Sequence, residues 1–117
     1  MFIYSHVEGS TWEYLIVKTF VVLRKAGRNW VTGLPTRQQP LWDEHAAFID
    51  ALFDKGAIML GGPFADGSGA LLIVYAEDES EALAMLRNDP WVKHDIQGDD
   101  SAKEWTVFLD SREKHTG

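Results

Sequence analysis

The 117-residue chain has no cysteine, only four prolines, and eleven basic residues against eighteen acidic ones. Without a thiol it has no disulfide scaffold, no thiolate metal site and no cysteine nucleophile. A formal net charge of −7 argues against a nucleic-acid partner, because phosphate-backbone binding needs a basic face. Long apolar runs are also missing. The longest, Tyr14 to Leu23, is broken by Lys18 and Thr19 and falls short of the roughly 20 residues that span a bilayer. The first ten residues carry no Lys or Arg and no small-residue cleavage site follows, so the expected compartment is the cytoplasm, with no membrane partner. What is present is ordinary for a globular chain: 45% hydrophobic and 25% charged residues, in a length that suits one domain. Five tryptophans are the departure.

Hydrophobic patterning predicts four strands and two helices. Tyr14 to Leu23, rich in Val, Ile, Phe and Tyr, reads as a mostly buried strand. A long loop follows, carrying Arg24, Arg28 and Trp30 and prolonged by Gly33, Pro35 and Pro40; ordered loops of that length are often functional. Thr36-x-x-Gln39 has the form of a capping box, with Pro40 tolerable in the first turn. Leu41, Phe48, Ile49 and Leu52 then recur at helical spacing, and Gly56 is the stop. Ala57–Leu60 and Ala70–Ala76 read as strands joined through the turn residues Asp66-Gly67-Ser68-Gly69. Asp78 and Glu81 open a second helix that ends near Asn88, ahead of Pro90. The last strand is expected at Glu104–Leu109, where Trp105, Val107 and Leu109 alternate with Thr106 and Phe108. The order β-α-β-β-α-β is the α+β, ferredoxin-like arrangement: a four-stranded antiparallel sheet with both helices on one face. The bare sheet face would expose apolar surface, so a homodimer through that face is expected.

One histidine stands out chemically. Leu41 lies four residues before His45, and Phe48 and Ile49 lie three and four after it, so the imidazole falls on the apolar stripe of the helix. A partly desolvated imidazole responds strongly to neighbouring carboxylates; a structural histidine bonded to a backbone carbonyl fits the same position. Asp54, nine residues on, falls about half a turn away at ~100° per residue and cannot easily reach it. No second histidine sits three or four residues from His45, so neither a metal nor another cofactor is expected.

The run His45-x-x-Phe48-x-x-x-Leu52-x-x-x-Gly56, then Leu60-Gly61-Gly62-Pro63, and Glu81-Ala82 leading to Asp89-Pro90-Trp91, resembles the YciI family (YCII-related domain). The resemblance implies a dimeric α/β barrel of ferredoxin-like subunits, with a histidine and an aspartate suspected of catalysis. The family includes a dehydrochlorinase acting on a chlorinated hydroxyquinol, and muconolactone isomerases share the architecture. His45 matches the family histidine. The Asp-Pro motif puts Asp89 forward as its partner, although Asp before Pro is also a common helix-terminating turn; Asp66 stays a further candidate.

These expectations define a domain over residues 14–110, an N-terminal extension at 1–13 and a tail at 111–117. Arg24, Trp30, Trp42, Pro63, Phe64, Asp66 and Trp91 are the expected ligand contacts. Aromatic walls with a cation suit a small planar or anionic ligand, although for any single tryptophan core or dimer interface is the better explanation. The functional expectation is a cofactor-independent lyase, isomerase or hydrolase using His45 and Asp89 as general acid/base. The alternative is a non-catalytic ligand-binding or regulatory module.

Overall fold

The computed structural model describes residues 17–112. The expected extension at 1–13, the expected strand start at Tyr14, and the tail from residue 113 lie outside the described residues.

The first strand, β1, is Lys18–Ala26. Its stiff β-branched and aromatic residues favour extended backbone, and Phe20, Val22 and Arg24 are buried on one face. The strand continues past Leu23 because the backbone of Arg24 to Ala26 pairs with Asp99, Gly98 and Gln97. Arg24 is therefore a strand residue, where the sequence pattern predicts a loop.

The helix start also differs. Thr36–Gln38 is a single 3-10 turn without a side-chain cap, and the helix α1 is Trp42–Asp54. Gln39 does not box the helix. Its buried amide instead ties the preceding loop together, accepting from Val31 N at 2.8 Å and donating to the carbonyls of Val31 and Leu34. Leu41 at φ 62° turns the chain into α1, whose first hydrogen bond runs from His45 N to Leu41 O. Gly56 at φ 85° follows the helix end, a conformation suited to glycine.

Strand β2 is Ile58–Pro63 and β3 is Ala70–Ala76. Between them Ser68 N donates to Asp66 Oδ1, and Phe64 N donates to Gly69 O. The helix α2, Glu79–Leu86, is capped by Asp78, which accepts from Glu81 N; Glu81 reaches back to Glu77 N. A further four-residue helix, α3, spans Pro90–Lys93 with Asp89 as its N-cap. Strand β4 is Gln97–Glu104, which corrects the expectation of Glu104–Leu109. Sheet order β2-β3-β1-β4 makes β4 an edge strand, so it needs little apolar sequence. The alternating residues 105–110 form no strand, and Phe108 and Leu109 stand 88% and 92% exposed.

All neighbouring strands are antiparallel, and the fold is ferredoxin-like α+β. One sheet face supplies Phe20, Val22, Leu72 and Val74 to the core, where Leu52 of α1 and Ala82 and Leu86 of α2 meet them. The β1–β4 ladder contains one irregularity. Leu23 pairs with Ser101, but Arg24 pairs with Asp99. The additional residue brings Asp99 opposite Arg24, the re-aiming that a bulge produces.

Gly69, just ahead of β3, approaches the backbone of the same arginine. A Cβ there would lie 2.1 Å from the Arg24 carbonyl oxygen, whereas one at Gly62 would meet nothing within 4 Å. Gly69→Ala should destabilise the fold by about 1–3 kcal/mol through forced backbone movement. Gly62→Ala should change stability by under about 1 kcal/mol. Denaturant unfolding of the two variants checks the contrast.

Candidate active site

Asp89 is completely buried, yet every donor around it is accounted for. As the N-cap of α3, its Oδ1 accepts from Trp91 N at 2.9 Å. The same oxygen lies 2.9 Å from His45 Nδ1. Its Oδ2 accepts from Arg24 Nη1 at 2.7 Å. Burial pushes the Asp89 carboxyl up, but hydrogen bonds from His45 and Arg24, with the Arg24 charge, outweigh it and hold the group below its ordinary 3.8. Asp89 is thus a carboxylate, which can only accept. It follows that His45 Nδ1 carries the proton and the neutral ring presents a lone pair at Nε2. Among the described residues, Nε2 has no hydrogen-bond partner.

The imidazole is held by rings as well. Its plane stacks on Trp91 with centroids 3.9 Å apart and 6° between planes. Trp42 tilts against both, at 5.5 Å from His45 and 5.7 Å from Trp91. Trp30 meets the edge of Trp91 at 5.7 Å. Trp91 is fixed in turn, since its Nε1 donates to Pro40 O at 2.8 Å. Stacking on the indole and the hydrogen bond to Asp89 together fix the plane and tautomer of the ring and leave Nε2 as its acceptor atom.

The expected ligand contacts separate into three groups. Trp42 is half-buried beside the histidine, and Trp30, also half-buried, sits at the edge of Trp91. Trp91, 1% exposed, is a platform under His45 more than a wall facing solvent. Arg24 is also buried and acts from inside the fold, through Asp89, because β1 extends further than the pattern predicts. Pro63 lies opposite Ala70, and Ala70 opposite Arg24, so the hairpin occupies the same end of the sheet. Among the described residues, no hydrogen bond or ring contact joins Pro63, Phe64 or Asp66 to the histidine cluster. Asp66 is exposed and held below its ordinary value by hydrogen bonds from Ser68.

Sequence reasoning missed Asp99. Its Oδ1 accepts from Arg24 Nε at 2.7 Å, making one arginine the bridge between two acids. Nothing in the local pattern marks it, since only the β1–β4 register places it there. The helix α3 was legible in principle, because Asp-Pro is also an N-cap followed by an N1 proline. Among the described residues, no group of three or more His, Asp or Glu is placed to hold a metal ion. No described helix is long and apolar enough to cross a membrane.

The family model of the YCII-related domain matches residues 19–106. A similar solved structure is 5-chloro-2-hydroxyhydroquinone dehydrochlorinase of Burkholderia phenoliruptrix in complex with 2,5-dihydroxybenzoquinone. It is 24% identical, the match covers 80% of this chain and 97% of that one, and the TM-score is 0.49. No curated protein matches.

Asp89→Asn keeps a capping side chain but removes the charge between Arg24 and His45, and should cost on the order of 3 kcal/mol. The pH dependence has a definite sign. A carboxyl lowered in the folded state adds stability above its unfolded value and loses it as pH falls through the folded one. The wild type should therefore lose this contribution below about pH 4, and unfolding measured against pH should show that acid limb weakened in Asp89→Asn.

Proposed function

The chain belongs to the YCII-related domain family, and within that frame we propose that it is a cofactor-independent lyase, isomerase or hydrolase acting on a small planar substrate. The observation that carries this reading is the buried Arg24–Asp89–His45 chain, with links of 2.7 and 2.9 Å. Asp89 occupies Nδ1 and leaves Nε2 as the basic atom. His45 Nε2 takes a proton from a carbon or hydroxyl of the substrate, Asp89 stabilises the imidazolium, and the proton returns to product or leaving group. A positioned base of this kind contributes about 10²–10⁴-fold.

The rings that hold His45 suit a flat ligand. Trp42 and Trp30 flank the stack and are half-buried, so an aromatic or lactone ring can lie against indole at low cost in side-chain order. Hydroxylated or anionic substituents would be drawn to an imidazolium.

The same reading includes a second copy of this chain on the open sheet face. Leu23 and Leu60 are 37% and 55% exposed there, and Phe108 and Leu109 add exposed apolar area beyond β4. Covering such surface is favourable at about 25 cal/mol per Å².

Turnover of a panel of hydroxylated aromatic acids, hydroxyquinols and unsaturated lactones tests the chemistry. A responsive substrate should lose at least about 10²-fold in kcat with His45→Gln, while the far-ultraviolet circular dichroism is unchanged. Unaltered turnover in that variant ends the acid/base reading; ligand binding without turnover in the wild type favours a binding module. For the assembly, sedimentation should give a dimer that Leu60→Asp weakens.

A further inference from the structure

Arg24 is a buried cation between two acids. Nη1 donates to Asp89 Oδ2 and Nε donates to Asp99 Oδ1, both at 2.7 Å, and its side chain is 1% exposed. The guanidinium stays charged at any working pH. Paired with Asp89 alone, it would cancel most of the attraction that this carboxylate exerts on an imidazolium. A second carboxylate changes the sum. With both acids ionised, one cation and two anions leave a net single negative charge, which proton uptake at His45 brings to zero.

Two further observations single out Asp99. The bulge in the β1–β4 ladder sets Asp99, and not Asp100, opposite Arg24; bulges beside active sites characteristically re-aim one side chain. Arg24 Nη2 is buried without a hydrogen-bond partner among the described residues. Among the described residues, only the two carboxylates therefore hold that end of the side chain, and its pull on Asp89 depends on what Asp99 takes.

Resting on the acid/base reading of His45, we propose that Asp99 is a positioning residue that sets the charge of His45 through Arg24. An ionised Asp99 shares the guanidinium and leaves Asp89 able to hold an imidazolium. A protonated Asp99 releases Arg24 to Asp89 and opposes proton uptake at His45. Burial pushes the Asp99 carboxyl up, and the Asp89 charge adds to this; Arg24 only partly offsets them. Of the two acids, Asp99 is thus the one that gains a proton first. Among the described residues, few groups face His45 and Asp99. Asp89 meets His45 from the α2–α3 connection, Trp91 meets it from α3 and Trp42 from its own helix. Asp43 and Glu44, in the first turn of α1, are exposed. Asp99 faces Arg24 from β1 and Asp89 behind it.

The test uses the full chain labelled with ¹⁵N-histidine and no substrate. Ring nitrogen shifts report the imidazolium-to-imidazole ratio of His45 at one fixed pH within its transition. In Asp99→Asn, which keeps an acceptor for Arg24 Nε, that ratio should fall on the order of tenfold. An unchanged ratio overturns the proposal. Should the variant fail to fold, aspartate ¹³Cγ shifts in the wild type decide the matter. Ionisation of Asp99 should displace the His45 ring shifts, and two titrations that ignore each other would overturn the coupling. Because neither measurement involves turnover, a failure here is distinguishable from failure of the acid/base reading, which His45→Gln judges.

Discussion

The contact between the Arg24 guanidinium and the Asp89 carboxylate ties the sheet to the connection between α2 and α3 at a point that water does not reach. Both charges are buried, so neither can be left alone. Desolvating an ion costs several kcal/mol, and that cost is offset only where geometry and additional hydrogen bonds are complete. Asp89 meets this demand with three donors: Arg24, His45 and the backbone of Trp91. The position of His45 on α1, the start of α3 and the extent of β1 are therefore coupled. A change in any one leaves a charge without its partner.

That coupling explains the surrounding aromatic residues. Trp91 follows the N-cap by two positions, so the bond that begins α3 also orients the indole beneath His45. Its ring nitrogen reaches back to Pro40, fixing the loop that leads into α1. Trp42 then begins α1 against both rings. The apolar core is a separate cluster, formed by residues of the four strands with Leu52 of α1 and Ala82 and Leu86 of α2. The two regions do different work: burial of Val22, Leu86 and their neighbours supplies cohesion, while the polar chain specifies where the imidazole sits and which nitrogen it presents.

Much of this was legible in the pattern, and the failures have physical causes. The β-α-β-β-α-β order, the hairpin at Asp66–Gly69 and the Asp78 cap all follow from local signals and are all present. His45 falls on the buried side of α1, as its spacing from Phe48 and Ile49 predicts. Two elements ran against their local sequence. Gln39 has the form of a capping residue, but tertiary context gave its amide to the backbone of residues 31 and 34. Strand β4 is polar throughout most of its length because an edge strand needs a backbone partner more than an apolar face. Its alternating neighbour, 105–110, has the right period, but among the described residues its backbone meets β1 only where Trp105 N donates to Thr19 O.

Residue spacing along one helix was enough to put His45 on the apolar stripe of α1, and the family resemblance put the Asp89-Pro90-Trp91 step forward. Such features depend on contacts between near neighbours in the chain, whose geometry the backbone alone dictates. The partnership of Arg24 with two acids 65 and 75 residues away belongs to the tertiary structure. It required the register of β1 on β4, a single additional residue in that ladder, and burial deep enough to make unpaired charge intolerable. No local period encodes those conditions, because they arise only when distant segments share one low-dielectric site.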